Sequence, residues 1–205
     1  FTNKELACAA NITAQTASAH LKHLQSAGLT MSLRSGRHIY HRIANTEVAG
    51  VLEAVAGLSP TDHLHRNTNG GRTGTEMFRA RSCYDHIAGR LGVLLTERLI
   101  ALNVLQLANG SISVGGKTGG FFEEFGLAIP CASGPGKPIV KLCLDWTERR
   151  HHISGPLATA LMQHSLSARW LKRQRDSRVL RITPLGYDVF GRVFGLSREE
   201  IDATV

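Results

Sequence analysis

A mainly helical α+β fold with small β-hairpin wings is predicted by three features of this sequence. Apolar residues recur at 3–4 spacing along residues 14–27, 44–58 and 153–168, which is helical period. Short strand-like runs are joined by turn residues. Residues 79–130 and 131–205 are also partly similar to each other. At 205 residues and 42% hydrophobic content, the chain can fill one large core or two to three small ones. No apolar run approaches the roughly 20 residues of a membrane span and no signal peptide is visible, so a cytoplasmic location is expected. Cys8, Cys83, Cys131 and Cys143 lack framework spacing and read as reduced thiols. The chain opens at Phe1 without an initiator Met, and an N-terminal piece is expected to be missing. Net charge is +8. Residues 1–44 hold five Lys or Arg against Glu5, a net +4, and residues 141–181 hold nine against three acids, a net +6. Two basic segments favour an anionic partner such as nucleic acid.

The elements follow in order. Residues 2–10 make a short helix with Leu6 and Ala9 inward, and Asn11-Ile12 is a tight turn. Thr13 then N-caps a helix whose stripe is Ala17, Leu21 and Leu24, and Gly28 ends it. Its opposite face carries Gln15, Thr16, Ser18, Ala19, Lys22 and His23, short hydrogen-bonding groups and one cation with little bulk. Such a face suits a DNA major groove, although an ordinary amphipathic surface helix has the same pattern. Thr30–Leu33 and His38–Ile43 read as strands joined by Arg34-Ser35-Gly36-Arg37. Ala44–Leu58 is a helix with a broad apolar face of Val48, Val51, Leu52, Val55 and Leu58, assigned to a dimer or interdomain contact. Residues 1–58 therefore read as a winged helix-turn-helix. Gln15, Thr16, Ser18 and His20 are the candidates for base contacts; Lys22, Arg34 and Arg37 are the candidates for phosphate, with Thr13 at the helix start.

On Glu5-Leu6-Ala7, on Gln15-Thr16-Ala17-Ser18-Ala19-His20-Leu21 with Leu24 and Ala27-Gly28-Leu29, and on Arg34-x-Gly36-Arg37-x-x-Tyr40, residues 2–58 resemble the ArsR family of winged helix-turn-helix repressors. The resemblance implies a homodimer that binds a palindromic operator in double-stranded DNA, blocks transcription and releases DNA when an effector binds. It also implies one or two further helices before residue 1. Two family features are absent. The helix before the recognition helix has only Cys8, flanked by alanines, where arsenic-sensing members carry Cys-x-Cys. The helix after the wing has Glu47 and Glu53 but no histidine for a zinc site. Cys8 is expected to pack as a small buried residue.

Residues 59–78 are a polar, Gly-rich linker that includes His63-x-His65, a weak metal pattern. Beyond it, residues 79–130 and 131–205 read as two degenerate winged-helix-like units, each helix, hairpin, helix. Cys83-Tyr84-Asp85-His86 matches Cys143-Leu144-Asp145-Trp146, with Thr147–His152 inserted before Ile87-Ala88-Gly89 resumes as Ile153-Ser154-Gly155. In the second unit residues 153–168 are a helix, Trp170–Gln174 and Arg178–Thr183 are strands, and a last helix follows Thr183-Pro184. In the first unit Gly-rich sequence (Gly110, Gly115, Gly116, Gly119, Gly120) stands in place of the hairpin. Gly115-Gly116-Lys117-Thr118 lacks the spacing of a phosphate-binding loop.

The duplicated Cys-x-Asp is the strongest candidate for chemistry. Cys83, Tyr84, Asp85 and His86 with Cys143, Asp145, Trp146, His151 and His152 would face each other across a pseudo-twofold. Three readings stay open. The carboxylates can be structural, capping helices or pairing with Arg81, Arg149 or Arg150; the group can line a pocket for a small organic effector; or the thiols and imidazoles can hold a thiophilic divalent metal or sense oxidants. No nucleophile–base pair or catalytic carboxylate pair stands out, so an enzyme is not expected. The leading expectation is a DNA-binding repressor. The alternative is a protein-interaction module that keeps the winged-helix fold without reading DNA.

Overall fold

The computed structural model describes residues 1–58, 72–132, 134–175 and 177–203. His63, His65 and most of the linker lie outside the described residues. The chain forms two compact units, Phe1–Leu52 and Glu53–Val205. Its architecture is mixed, with short antiparallel strand pairs among helices; among the described residues every sheet has two strands.

In the first unit, α1 (Asn3–Ala9) opens with a capping box between Thr2 and Glu5. Asn11, at φ +54, turns the chain into α2 (Ala14–Ser26), N-capped by Thr13. β1 (Thr30–Ser35) pairs with β2 (His38–Ile43), leaving Gly36-Arg37 as a two-residue turn with Gly36 at φ +58. Arg34 therefore lies within β1, opposite Ile39, and only Arg37 is at the tip. The hairpin is followed by α3 (Thr46–Leu58), whose first turn is held by Val48 N donating to Asn45 Oδ1.

Three expectations about this unit are corrected. Ala7 is the buried residue of α1; Leu6 is half-buried and Ala9 exposed. Cys8, one position and about 100° round the helix from Ala7, is exposed rather than packed. In α2, Ala17 and Leu21 are buried but Leu24 is 39% exposed, so only the first part of the expected stripe is covered.

The second unit contains α4 (Arg72–Arg79), which occupies residues read from sequence as the end of the linker. Its Met77 and Phe78 are half-buried, which a solvated linker would not do. Two runs with the same order of elements follow. The first is β3 (Arg81–Cys83), β4 (His86–Ala88), α5 (Arg90–Ala101), β5 (Leu105–Ala108), β6 (Ser111–Val114) and α6 (Thr118–Glu123). The second is β7 (Lys141–Leu144), β8 (His151–Ser154), α7 (Pro156–Ser167), β9 (Leu171–Arg173), β10 (Leu180–Ile182) and α8 (Pro184–Phe194), with α9 (Arg198–Asp202) closing the chain. Each run thus begins with a hairpin that the helix–hairpin–helix reading lacked. The expected helix at 153–168 begins at Pro156, because Ile153 and Ser154 belong to β8 and Gly155, at φ +87, turns the chain between them. The Gly-rich stretch is also corrected. Asn109 and Gly110, at φ +50 and +73, supply the left-handed pair that a two-residue turn needs, so β5 and β6 pair fully from Leu105↔Val114 to Ala108↔Ser111.

The two runs share one core. Leu91, Leu95 and Leu99 of α5 and Leu157 and Leu161 of α7 are buried in it, together with Phe122, Trp170, Phe190 and Phe194. Helix α5 lies against β8 and α7 against β4, so each helix packs on the other run's hairpin. At the far end, Tyr187 Oη donates to Asp202 Oδ1 at 2.5 Å, and Arg79 pairs with Asp202 at 2.8 Å. Burial and the Asp202 carboxylate push the Tyr187 phenol up to about 12. A phenol raised above its unfolded value near 10 stabilises the fold below that pH and loses the contribution as pH rises through the folded value. Urea unfolding at about pH 9 and pH 11 should therefore show a loss of stability that is smaller in Tyr187→Phe.

Candidate nucleic-acid interface and a buried thiol–imidazole cluster

The polar face of α2 is open to solvent. Gln15, Thr16, Ser18, Ala19, His20, Lys22 and His23 are all exposed, while Ala17 and Leu21 on the other side are buried. Two of these groups are engaged locally. Thr16 shares its hydroxyl with that of Thr13 at 2.8 Å, and its N–H donates to Thr13 Oγ1, so both residues serve the helix start. Ser18 Oγ accepts from Asn3 Nδ2 at 2.6 Å, which ties α2 to α1. Gln15, His20 and Lys22 extend from the same face, and Arg34 and Arg37 stand exposed on the hairpin.

In the second unit, strand register brings the duplicated motif together. Cys83 lies directly across from His86 in the β3–β4 hairpin, and Cys143 directly across from His152 in the β7–β8 hairpin. The two hairpins meet along β4 and β8. Cys83 Sγ and Cys143 Sγ come within 4.0 Å, and His86 Nε2 and His152 Nε2 within 3.1 Å. One ligand atom from each of the four side chains lies within 4.8 Å of all the others. Cys83, His86 and His152 are 1%, 2% and 0% exposed; Cys143 is half-buried. The contact with Cys143, reinforced by burial, pushes the Cys83 thiol up to about 12, while the Cys83 contact holds the Cys143 thiol below its ordinary value. Burial alone would lower His86, but Asp85 and Cys83 outweigh it and raise the imidazole to about 9.

The carboxylates stand behind the imidazoles. Asp85 Oδ1 lies 3.1 Å from His86 Nδ1, and Asp145 Oδ2 lies 3.4 Å from His152 Nδ1. Asp145 also carries the structure around it. Its Oδ1 accepts from Arg81 Nη2 at 2.8 Å, from the Thr147 hydroxyl at 2.6 Å and from the Thr147 and Glu148 N–H groups; its Oδ2 accepts from Gly89 N at 2.7 Å. Both Asp145 and Arg81 are fully buried. Burial raises a carboxyl, but the Arg81 guanidinium and these donors hold Asp145 well below the usual carboxylate range. Trp146 stacks on Arg81, whose guanidinium carbon lies 4.6 Å from the ring centroid, and so packs behind the cluster. Tyr84, at φ +54, is exposed in the β3–β4 turn, and His151 is exposed on the outer face of β8.

The structure therefore gathers Cys83, His86, Cys143 and His152, places Asp85 and Asp145 behind them, and leaves Tyr84, Trp146 and His151 outside the cluster. It also shifts the internal match. His86 corresponds to His152, not to Trp146, so the extra six residues are Trp146–His151 rather than Thr147–His152. Moving the insertion by one residue aligns Cys-x-Asp-His with Cys-x-Asp-(six residues)-His, a signal present in the sequence but missed.

A curated relative from Bacillus subtilis (strain 168), the uncharacterized HTH-type transcriptional regulator YdfF, is 34% identical over 186 residues, covering 91% of this chain and 82% of the relative. The chain belongs to the HTH-type transcriptional regulators. No protein-family model matches it, and no solved structure does. As a member of that family the chain is a DNA-binding transcription regulator and not an enzyme. Among its described residues no helix is long and apolar enough to cross a membrane. This HTH-type regulator carries the exposed helix α2 in its first unit and the Cys–His cluster in its second.

Proposed function

We propose that this HTH-type regulator is a cytoplasmic, ArsR-like repressor whose winged helix-turn-helix, residues 1–58, binds a palindromic operator as a homodimer. The observation that carries this reading is the solvent-facing polar side of α2, bounded by buried Ala17 and Leu21. Gln15 and His20 read base edges with Thr16 and Ser18 close by, Thr13 holds the helix start, and Lys22, Arg34 and Arg37 neutralise phosphates. The second copy covers the apolar side of α3, where Val51, Val55 and Leu58 are all more than half exposed. Two recognition helices must be presented about one turn of duplex apart, which is why a dimer is required. Residues 79–205, read as two degenerate winged-helix-like units in pseudo-twofold relation, receive the effector that releases the operator. The recurrent order of elements and the offset pairing of Cys83 with Cys143 and His86 with His152 support that reading.

Fluorescence anisotropy on the protein's own promoter DNA at several salt concentrations tests it. Arg37→Ala should weaken binding to every sequence alike and lower the salt slope by about 1. Gln15→Ala should cost about 1–3 kcal/mol on the operator and little on unrelated DNA. Uniform loss in both variants would mean that α2 does not read bases. A second reading, an interaction module without DNA readout, is favoured by the exposed apolar Leu33 and Ile39 on the hairpin. Absence of any DNA binding at low salt would select it.

A further inference from the structure

We infer that Cys83, His86, Cys143 and His152 form a closed four-ligand site for one thiophilic divalent cation, Zn2+, that staples the β3–β4 hairpin to the β7–β8 hairpin. Zinc–sulfur and zinc–nitrogen bonds of about 2.3 and 2.0–2.1 Å in a tetrahedron place two sulfurs about 3.8 Å apart and two nitrogens about 3.3 Å apart. The observed separations are 4.0 and 3.1 Å and all four ligand atoms lie within 4.8 Å of one another, so side-chain adjustments of about 1 Å close the shell.

The imidazole rings are also oriented for a ligand role. Each imidazole turns Nδ1 toward a carboxylate, His86 to Asp85 and His152 to Asp145. With a metal bound and the rings neutral, that arrangement favours the ring proton on Nδ1 and turns both Nε2 atoms toward the ion. The two Nε2 atoms face each other at 3.1 Å in a buried place, where a shared proton joins them in the metal-free protein and a metal ion can take that proton's place. His152 Nδ1 has no hydrogen bond of acceptable geometry, so its ring is held by packing and by the field of Asp145 rather than by a tight contact. A bound cation would supply the missing restraint.

Charge and donor type point to the same occupant. Two thiolates cancel the two positive charges and two neutral imidazoles add none, so the complete centre is neutral, as a buried group should be. Sulfur and imidazole donors select zinc over magnesium or calcium, which take oxygen. All four positions are filled from the chain and no coordination place is left for water, which makes the site structural rather than hydrolytic. Its ligands are on β3, β4, β7 and β8, none of them in the DNA-reading unit, so the site does not depend on the operator-binding proposal.

The test uses the full chain, purified under reductant, stripped with chelator and titrated anaerobically with Co2+ and then Zn2+. One Co2+ per chain should bind, with sulfur-to-cobalt charge-transfer absorption and the visible bands of a tetrahedral ion, and Zn2+ should displace it. Cys143→Ser and His152→Asn should lose that spectrum, whereas Cys8→Ser and Cys131→Ser, at exposed thiols, should keep it. Asp85→Asn should keep the spectrum and weaken affinity about 10–100-fold, as loss of an orienting carboxylate does. If Cys143→Ser does not fold, the wild-type spectrum with the two control variants decides. No cobalt–sulfur absorption in the reduced wild type, an octahedral spectrum, or a spectrum that depends on Cys8 or Cys131 would overturn the site.

Discussion

Asp145→Ala should cost the second unit about 3–5 kcal/mol, the range for removing one partner of a buried ion pair. The substitution leaves the Arg81 guanidinium charged, fully buried and stacked on Trp146 with no carboxylate beside it. It also strands the Gly89 N–H and unties the Thr147–Glu148 turn that closes the β7–β8 hairpin. Urea unfolding followed by circular dichroism measures the loss. A paired replacement, Arg81→Met with Asp145→Leu, should recover only the part owed to the unpaired guanidinium, because the Gly89, Thr147 and Glu148 donors still lose their acceptor. A loss below about 1 kcal/mol in the single variant would place it in the range of an exposed pair and deny Asp145 its structural role.

Gly92→Ala should be the second large effect. A Cβ on Gly92 would sit 2.5 Å from Ile87 O and 2.9 Å from Ile87 C, backbone atoms that cannot rotate away. Helix α5 must then retreat from β4, the strand that begins with His86, whereas the His152 Cβ, 3.5 Å from the same point, is at ordinary contact distance. Overpacking of this kind costs about 1–3 kcal/mol. In a unit of this size that lowers Tm by about 2–4 °C for each kcal/mol. Gly119→Ala is the control, since nothing lies within 4 Å of its added methyl in α6. Replacing a helical glycine there should instead stabilise by up to about 1 kcal/mol. Equal shifts in the two variants would mean that the α5–β4 approach is not tight. Should the cobalt-binding test succeed, Gly92→Ala should also weaken cobalt binding by displacing His86.

Much of the first unit was legible because its signals are local. Thr13 as N-cap, the exposed polar face of α2 and the β1–β2 turn at Gly36 each depend on a few neighbouring residues. The duplicated Cys-x-Asp was legible in the same way, as a repeated string. The hairpins that carry it were not. Strands β3 and β4 have three residues each, too few to show alternation, and β3–β4 closes on Tyr84-Asp85, without a turn glycine. The β5–β6 hairpin did carry a strong signal in Asn109-Gly110, which the surrounding glycines obscured.

By itself the sequence determined which segments are helices and hairpins in the first unit, which faces are polar, and that Cys83 and Cys143 belong to equivalent strings, since periodicity, capping and repetition are properties of neighbouring residues. Only the tertiary structure decided that His86 answers His152, that Asp145 is locked to Arg81 through a separation of 64 residues, and that Cys8 faces outward. The physical reason is that a side chain's partner is chosen by strand register and by how helices dock on hairpins. Those choices are settled by burying α5, α7 and the aromatic cluster together, not by any local pattern.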